Sequence, residues 1–102
     1  MKPADDVGIP LVSWEAAVAE VIIYRTTYCG YCDLAKRLFA SLGVPFTEID
    51  VTHDVEMRRK LVEVTGGRRT VPQIFIDGVS VGGYTDVATL QRKGKLDAML
   101  GR

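Results

Sequence analysis

The apolar run Val21-Ile22-Ile23-Tyr24 is short, nearly continuous and rich in β-branched residues, the pattern of a buried strand. The period then changes. Leu34, Leu38 and Leu42 stand four apart, with Ala35 and Phe39 beside them, which predicts an amphipathic helix ended by Gly43 and Pro45. Residues 46–50 read as a second strand. Asp54 is placed to cap a further helix whose Met57, Leu61 and Val64 share one face, and Gly66-Gly67 stops it. Residues 71–76 read as a third strand, Asp77-Gly78 as a hairpin turn, and residues 79–81 as an antiparallel return. Gly82-Gly83 turns the chain into a last helix through Val87 and Leu90, with another turn at Leu96, Met99 and Leu100. Ahead of all this, Pro3, Gly8 and Pro10 break any regular pattern, and Ser13 is placed to cap a short helix carrying Trp14.

Strand, helix, strand in succession is a right-handed βαβ unit with parallel strands. The full order, β-α-β-α-β-β-α, predicts an α/β domain built on a four-stranded mixed sheet with helices on both faces. Residues 1–20 form the leader and residues 21–102 the folded domain. At 102 residues the chain fits one domain, large enough for a core without staples. Apolar residues at 47% and charged residues at 25% exclude a disordered composition. Lys+Arg and Asp+Glu both number 13, so no basic excess argues for nucleic acid. No apolar run reaches the roughly 18 residues of a membrane span. The N-terminus, with Asp5 and Asp6 and no apolar stretch, does not read as a secretory signal. A cytoplasmic, reducing location is expected.

In that setting the two cysteines carry the chemistry. Cys29-Gly30-Tyr31-Cys32 spans the end of the first strand–helix loop and the first helical turn. A helix N-terminus presents unpaired N–H groups and about half a positive charge, both of which favour a thiolate. Such placement lowers a cysteine pKa from about 8.5 into the range of roughly 3.5–7.5. The thiolate attacks a disulfide sulfur, and a second thiol two residues on resolves the mixed disulfide. Cys29, nearer the open loop, is the expected attacker and Cys32 the resolver. Two competing readings are half of a zinc site and a passive staple. Zinc wants four ligands and His53 is the only histidine, while a staple across so small a loop would stabilise little.

Two further motifs follow. Thr70-Val71-Pro72 opens the third strand, where proline cannot donate to a ladder. Either the strand is an edge, or a cis Val71–Pro72 bond turns the Val71 backbone toward an extended peptide. Gly82-Gly83-Tyr84-Thr85-Asp86 gives a tight turn and then a helix N-terminus, which serves either plain capping or anion binding.

Together CxYC, TVPQIFIDG and GGYTD, in this order and spacing, closely resemble the glutaredoxins over about residues 21–100. The resemblance implies the thioredoxin-like fold and a glutathione-dependent oxidoreductase acting on glutathionylated and disulfide-containing proteins. It implies that Cys29 takes the glutathionyl group and Cys32 resolves. It also implies that the Val71 backbone before Pro72 pairs with the cysteinyl unit, that Thr85 and Asp86 hold the γ-glutamyl end with Gly83 and Tyr84 beside them, and that Tyr31 and Thr70 line the groove. Arg69 stands where a basic residue often reaches the glycine carboxylate. Glutathione is the expected co-substrate and the chain a monomer.

The sequence departs from the family pattern at three places. Gly30 replaces the proline of Cys-Pro-Tyr-Cys. Small residues there resemble variants associated with a glutathione-ligated [2Fe-2S] cluster, in which a dimer supplies Cys29 from each chain, so a cluster carrier or redox sensor is a second reading. Thr26 replaces a lysine, which shifts the burden of the glycine carboxylate to Arg68 or Arg69. Tyr84 replaces a small residue, either covering the groove or packing. A third reading is a thioredoxin-like reductant fed by a flavoprotein reductase.

Overall fold

The structure, a computed structural model, describes residues 19–101. The leader helix expected after Ser13 lies outside the described residues. Strand β1 (Val21–Arg25) leads to helix α1 (Gly30–Ser41), then β2 (Thr47–Asp50), helix α2 (Val55–Val64), β3 (Gln73–Ile76), β4 (Val79–Gly82), α3 (Tyr84–Arg92) and the short α4 (Leu96–Met99). The sheet order is β2-β1-β3-β4, with β1 parallel to β2 and antiparallel to β3, and β3 antiparallel to β4. This is the mixed four-stranded sheet flanked by helices that the sequence pattern predicts.

Strand alternation sets the core. Val21 pairs with Ile76 and Ile23 with Ile74, so these four share one face. They are buried with Ala35 and Phe39 of α1, Val87 of α3, and Leu96 and Leu100. Burying a side chain such as Phe39 or Ile23 contributes about 1.5–3 kcal/mol. On the opposite face Tyr24 meets Phe75 edge to face, ring centroids 5.5 Å apart. Asp77 (φ 51°) and Gly78 (φ 80°) make the β3–β4 turn with two positive φ angles, as the Asp-Gly pair predicts.

Three expectations are corrected. The apolar stripe of α1 centres on Cys32, Ala35 and Phe39, all fully buried. Leu38 and Leu42 flank it half-buried, and Leu34 is exposed. In α2, Leu61 is buried, but Val64 at the last turn faces solvent. The third strand begins at Gln73 instead of residue 71, because the Val71–Pro72 bond is cis and Pro72 has no N–H to pair. Since β3 lies between β1 and β4, the edge-strand reading of Pro72 does not hold.

Asp54 caps α2 as expected, its Oδ1 accepting the Met57 N–H at 3.0 Å. Asp54→Ala is expected to lower stability by about 1 kcal/mol, read as a lower urea midpoint at unchanged slope. An unchanged midpoint would show that α2 is held by Leu61 alone.

Candidate active site

Cys29 is the N-cap of α1, with extended backbone (φ −144°, ψ 103°). From there its half-buried Sγ accepts the Cys32 N–H at 3.1 Å. The same sulfur lies 3.7 Å from Val71 O, the carbonyl just before the cis bond. Cys29 and Cys32 form a disulfide, with Cα atoms 5.2 Å apart. Cys32 is 0% exposed, whereas the flanking Tyr28 and Tyr31 are 98% and 59% exposed. A reductant therefore meets the Cys29 sulfur first. When the pair is reduced, the Cys32 N–H and the dipole of α1 favour charge on Cys29.

The loop before Cys29 is anchored by residues the sequence reading passed over. The Thr27 N–H donates to Thr52 Oγ1 at 2.8 Å, and Asp50 Oδ1 accepts the Thr52 N–H at 2.9 Å. Hydrogen bonds from the Thr52 side chain and then its backbone hold the Asp50 carboxyl below its ordinary pKa. Arg25, next to the Thr26 that replaces a lysine, turns to Glu48 (Nε to Oε1 3.6 Å) and so does not take that lysine's place.

Thr70 and Val71 line a groove of about 420 Å³ together with Arg58, Arg68 and Arg69. The Gln73 side chain, 1% exposed, donates from Nε2 to Thr70 O at 2.8 Å and so fixes the turn that presents Val71. Arg69 is exposed on the groove wall. Arg68 instead reaches across to α3, its Nη2 lying 3.1 Å from Asp86 Oδ2.

The Gly82-Gly83 turn joins these pieces. A β-bulge between β3 and β4 (Ile74 opposite Gly82, Phe75 opposite Ser80) puts an extra residue in β4. Gly83, the N-cap of α3, sits so close to Pro72 that a Cβ there would lie 3.3 Å from Pro72 O. Asp86, in the first turn, accepts the Gly83 N–H at Oδ2 (2.9 Å). Thr85, exposed, stands at the free N–H end of the same helix. Tyr84 stacks on Tyr31 (centroids 6.3 Å apart, planes at 26°) and also packs on the core, so it ties the start of α3 to the Cys turn.

The Gly83 hydrogen bond, and behind it Arg68, holds the Asp86 carboxyl below its ordinary 3.8 despite an opposing desolvation. With the folded pKa depressed, Asp86 stabilises the fold fully above the ordinary value, and this is lost as pH falls from there through the lower folded value. The difference in urea midpoint between wild type and Asp86→Asn is thus expected at pH 6 and should shrink below about pH 4. A difference as large at pH 3 as at pH 6 would mean that the carboxylate charge is not what matters.

Among the described residues no three His, Cys, Asp or Glu side chains converge as a metal site. The described residues of one chain therefore do not by themselves supply the ligands of a zinc ion or of a whole [2Fe-2S] cluster, and a cluster shared between two chains would take Cys29 in its reduced form.

A Cys-x-x-Cys disulfide at the first turn of a helix, on this four-stranded sheet, defines a thiol–disulfide oxidoreductase of thioredoxin-like fold. The glutaredoxin family model matches residues 21–81. A glutaredoxin of Pseudomonas aeruginosa is 46% identical over 80 residues, which cover 78% of this chain and 94% of the relative. The solution structure of a glutaredoxin from Brucella melitensis superposes with TM-score 0.75 at 45% identity, covering 83% of this chain and 91% of that one. The crystal structure of a buckwheat glutaredoxin–glutathione complex does so with TM-score 0.74 at 33% identity, covering 88% and 84%. The chain belongs to the glutaredoxin family. Among the described residues no helix is long and apolar enough to cross a membrane.

Proposed function

We propose that this chain is a glutathione-dependent oxidoreductase that removes glutathione from mixed disulfides and reduces protein disulfides in the cytoplasm, acting as a monomer. One observation carries the reading: three motifs far apart in sequence meet at one rim. The Cys29 sulfur faces Val71 O, Pro72 O abuts Gly83, and Tyr31 stacks on the first residue of α3. A tripeptide thiol laid along that rim would find backbone partners at Val71 for its centre, the Asp86 carboxylate and the N–H groups of Thr85 and Asp86 for its γ-glutamyl end, and arginines for its glycine carboxylate. The complex formed by the buckwheat relative adds support. Arg69 and Thr70, on the groove wall, serve the glycine end.

The chemistry follows from the sulfur positions. The Cys29 thiolate attacks the glutathione sulfur of a mixed disulfide. The protein thiolate leaves and takes a proton, and glutathione stays on Cys29. A second glutathione thiolate attacks that glutathione sulfur, which releases glutathione disulfide and returns the Cys29 thiolate. With a protein disulfide, Cys29 forms the mixed disulfide and Cys32 displaces the protein thiol, which gives the Cys29–Cys32 disulfide of this structure.

The test is steady-state reduction of a glutathione mixed disulfide, coupled to glutathione reductase and NADPH, beside a parallel assay driven by a flavoprotein thioredoxin reductase. Turnover in the first assay is expected. Turnover only in the second would replace glutathione with a thioredoxin-like reductant.

A further inference from the structure

Arg68, a candidate from the sequence only for the glycine carboxylate, instead forms a built contact with α3 at the rim. Its guanidinium lies across the Gly82-Gly83 turn and pairs with Asp86. Gly82 makes room for it. A Cβ built there would meet Asp86 Oδ2 and come within 2.8 Å of both Arg68 Nη1 and the Asp86 carboxyl carbon. Its φ of +99° is also one that side chains rarely adopt. The Arg68 backbone is fixed too, its N–H donating to the hydroxyl of Thr65, the C-cap of α2, at 3.2 Å. Arg68 thus reaches α3 from an anchored position.

The pair leaves each partner half used. Asp86 Oδ2 takes both the Gly83 N–H and Arg68, while Oδ1 has no hydrogen-bond partner among the described residues. Arg68 carries five N–H donors and commits one of them to Asp86. The two side chains are 42% and 44% exposed, so both remain reachable from solvent. A free carboxylate and a free guanidinium edge side by side fit a ligand carrying an ammonium and a carboxylate on one carbon. Such a zwitterion gains two charge-assisted hydrogen bonds and need not break the internal pair. A ligand end with only one of these charges leaves one side unanswered.

We propose that Arg68 is a specificity-determining residue which, with Asp86, reads the α-amino-acid zwitterion of the γ-glutamyl end. Arg68 holds the Asp86 carboxylate with Oδ1 turned to the ammonium and offers its own free N–H groups to the α-carboxylate. The assignment rests on the glutathione reading above and adds Arg68 to Thr85 and Asp86 at this end of the ligand, leaving Arg69 to the glycine end.

The experiment compares wild type, Arg68→Gln and Arg68→Lys on two mixed disulfides of one small thiol, the first with glutathione and the second with cysteinylglycine, which lacks the γ-glutamyl residue. Each variant's thermal midpoint is recorded alongside. For the glutathione disulfide, Arg68→Gln is expected to raise KM about fivefold with kcat within about twofold, as befits a partly exposed pair. Arg68→Lys should recover part of that loss, because a point charge replaces the fork. For the cysteinylglycine disulfide the same variants should have KM values close to wild type. An equal rise in KM on both disulfides, or a fall in KM on glutathione, would overturn the inference, the first making Arg68 merely structural and the second a competitor for Asp86. Wild type idle on both disulfides would remove the glutathione reading itself and this inference with it. Wild-type turnover with an unaffected Arg68→Gln would remove this inference alone.

Discussion

Cys29→Ser is expected to lower turnover of a glutathione mixed disulfide by about a thousandfold or more, because it removes the sulfur on which the intermediate forms. Serine keeps the N-cap, since its oxygen accepts the same N–H that Cys32 donates to Cys29 Sγ. The variant should therefore fold, and the loss should be one of chemistry. Cys32→Ser is expected to keep the same assay within a few-fold of wild type but to lose most reduction of a protein disulfide, where an internal resolver is needed. Cys32 is fully buried beside Ala35 and Phe39, so a small stability loss accompanies this change. A Cys29→Ser enzyme with wild-type turnover would refute the proposed mechanism. Equal loss from both variants would mean that even small mixed disulfides pass through the internal disulfide.

Gly82→Ala is expected to be the most damaging change at the rim outside the cysteines. Two effects add. A residue with a side chain at φ +99° costs about 1–3 kcal/mol of backbone strain, and the new methyl collides with the carboxylate that caps α3 and with the guanidinium paired to it. A loss of about 2 kcal/mol or more in urea unfolding is expected, together with a raised KM for the glutathione disulfide. Gly78→Ala is the control, because Gly78 also has positive φ (80°) but nothing lies within 4 Å of its would-be Cβ. It should lower stability by about 1 kcal/mol and leave KM alone. If the two variants behave alike, the crowding at Gly82 is without consequence.

The extent to which the chain declared itself depends on the range over which each signal acts. Local signals were legible. The Asp77-Gly78 turn, the Asp54 cap, the β-branched run of β1 and the glycine ending α1 each act within a few residues, so pattern and outcome coincide. Signals depending on helix rotation were less so. Leu34, Leu38 and Leu42 are the larger side chains, but Ala35 lies deeper, fully buried in the core with Phe39. The third strand was drawn two residues too long for a comparable reason: Val71 is β-branched and reads as strand, whereas its carbonyl is turned to Cys29. The cysteine pair and the two glycine- and proline-marked turns were legible as chemistry. The Arg68–Asp86 pair was not, because 18 residues separate its members and nothing in the spacing links them. The Thr27–Asp50–Thr52 network escaped for the same reason. Its threonines are ordinary polar residues until the sheet pairs their loops.

The burial of Cys32 gives the disulfide the character of a diode. An outside thiol can enter only at the Cys29 sulfur, whatever that thiol is attached to, so the leaving charge is always born on the inner sulfur, within the first turn of α1. Every covalent encounter therefore leaves its mark on the same atom. A partner trapped in mid-reaction should be found on residue 29 by peptide mass mapping, whether it was the oxidant or the reductant.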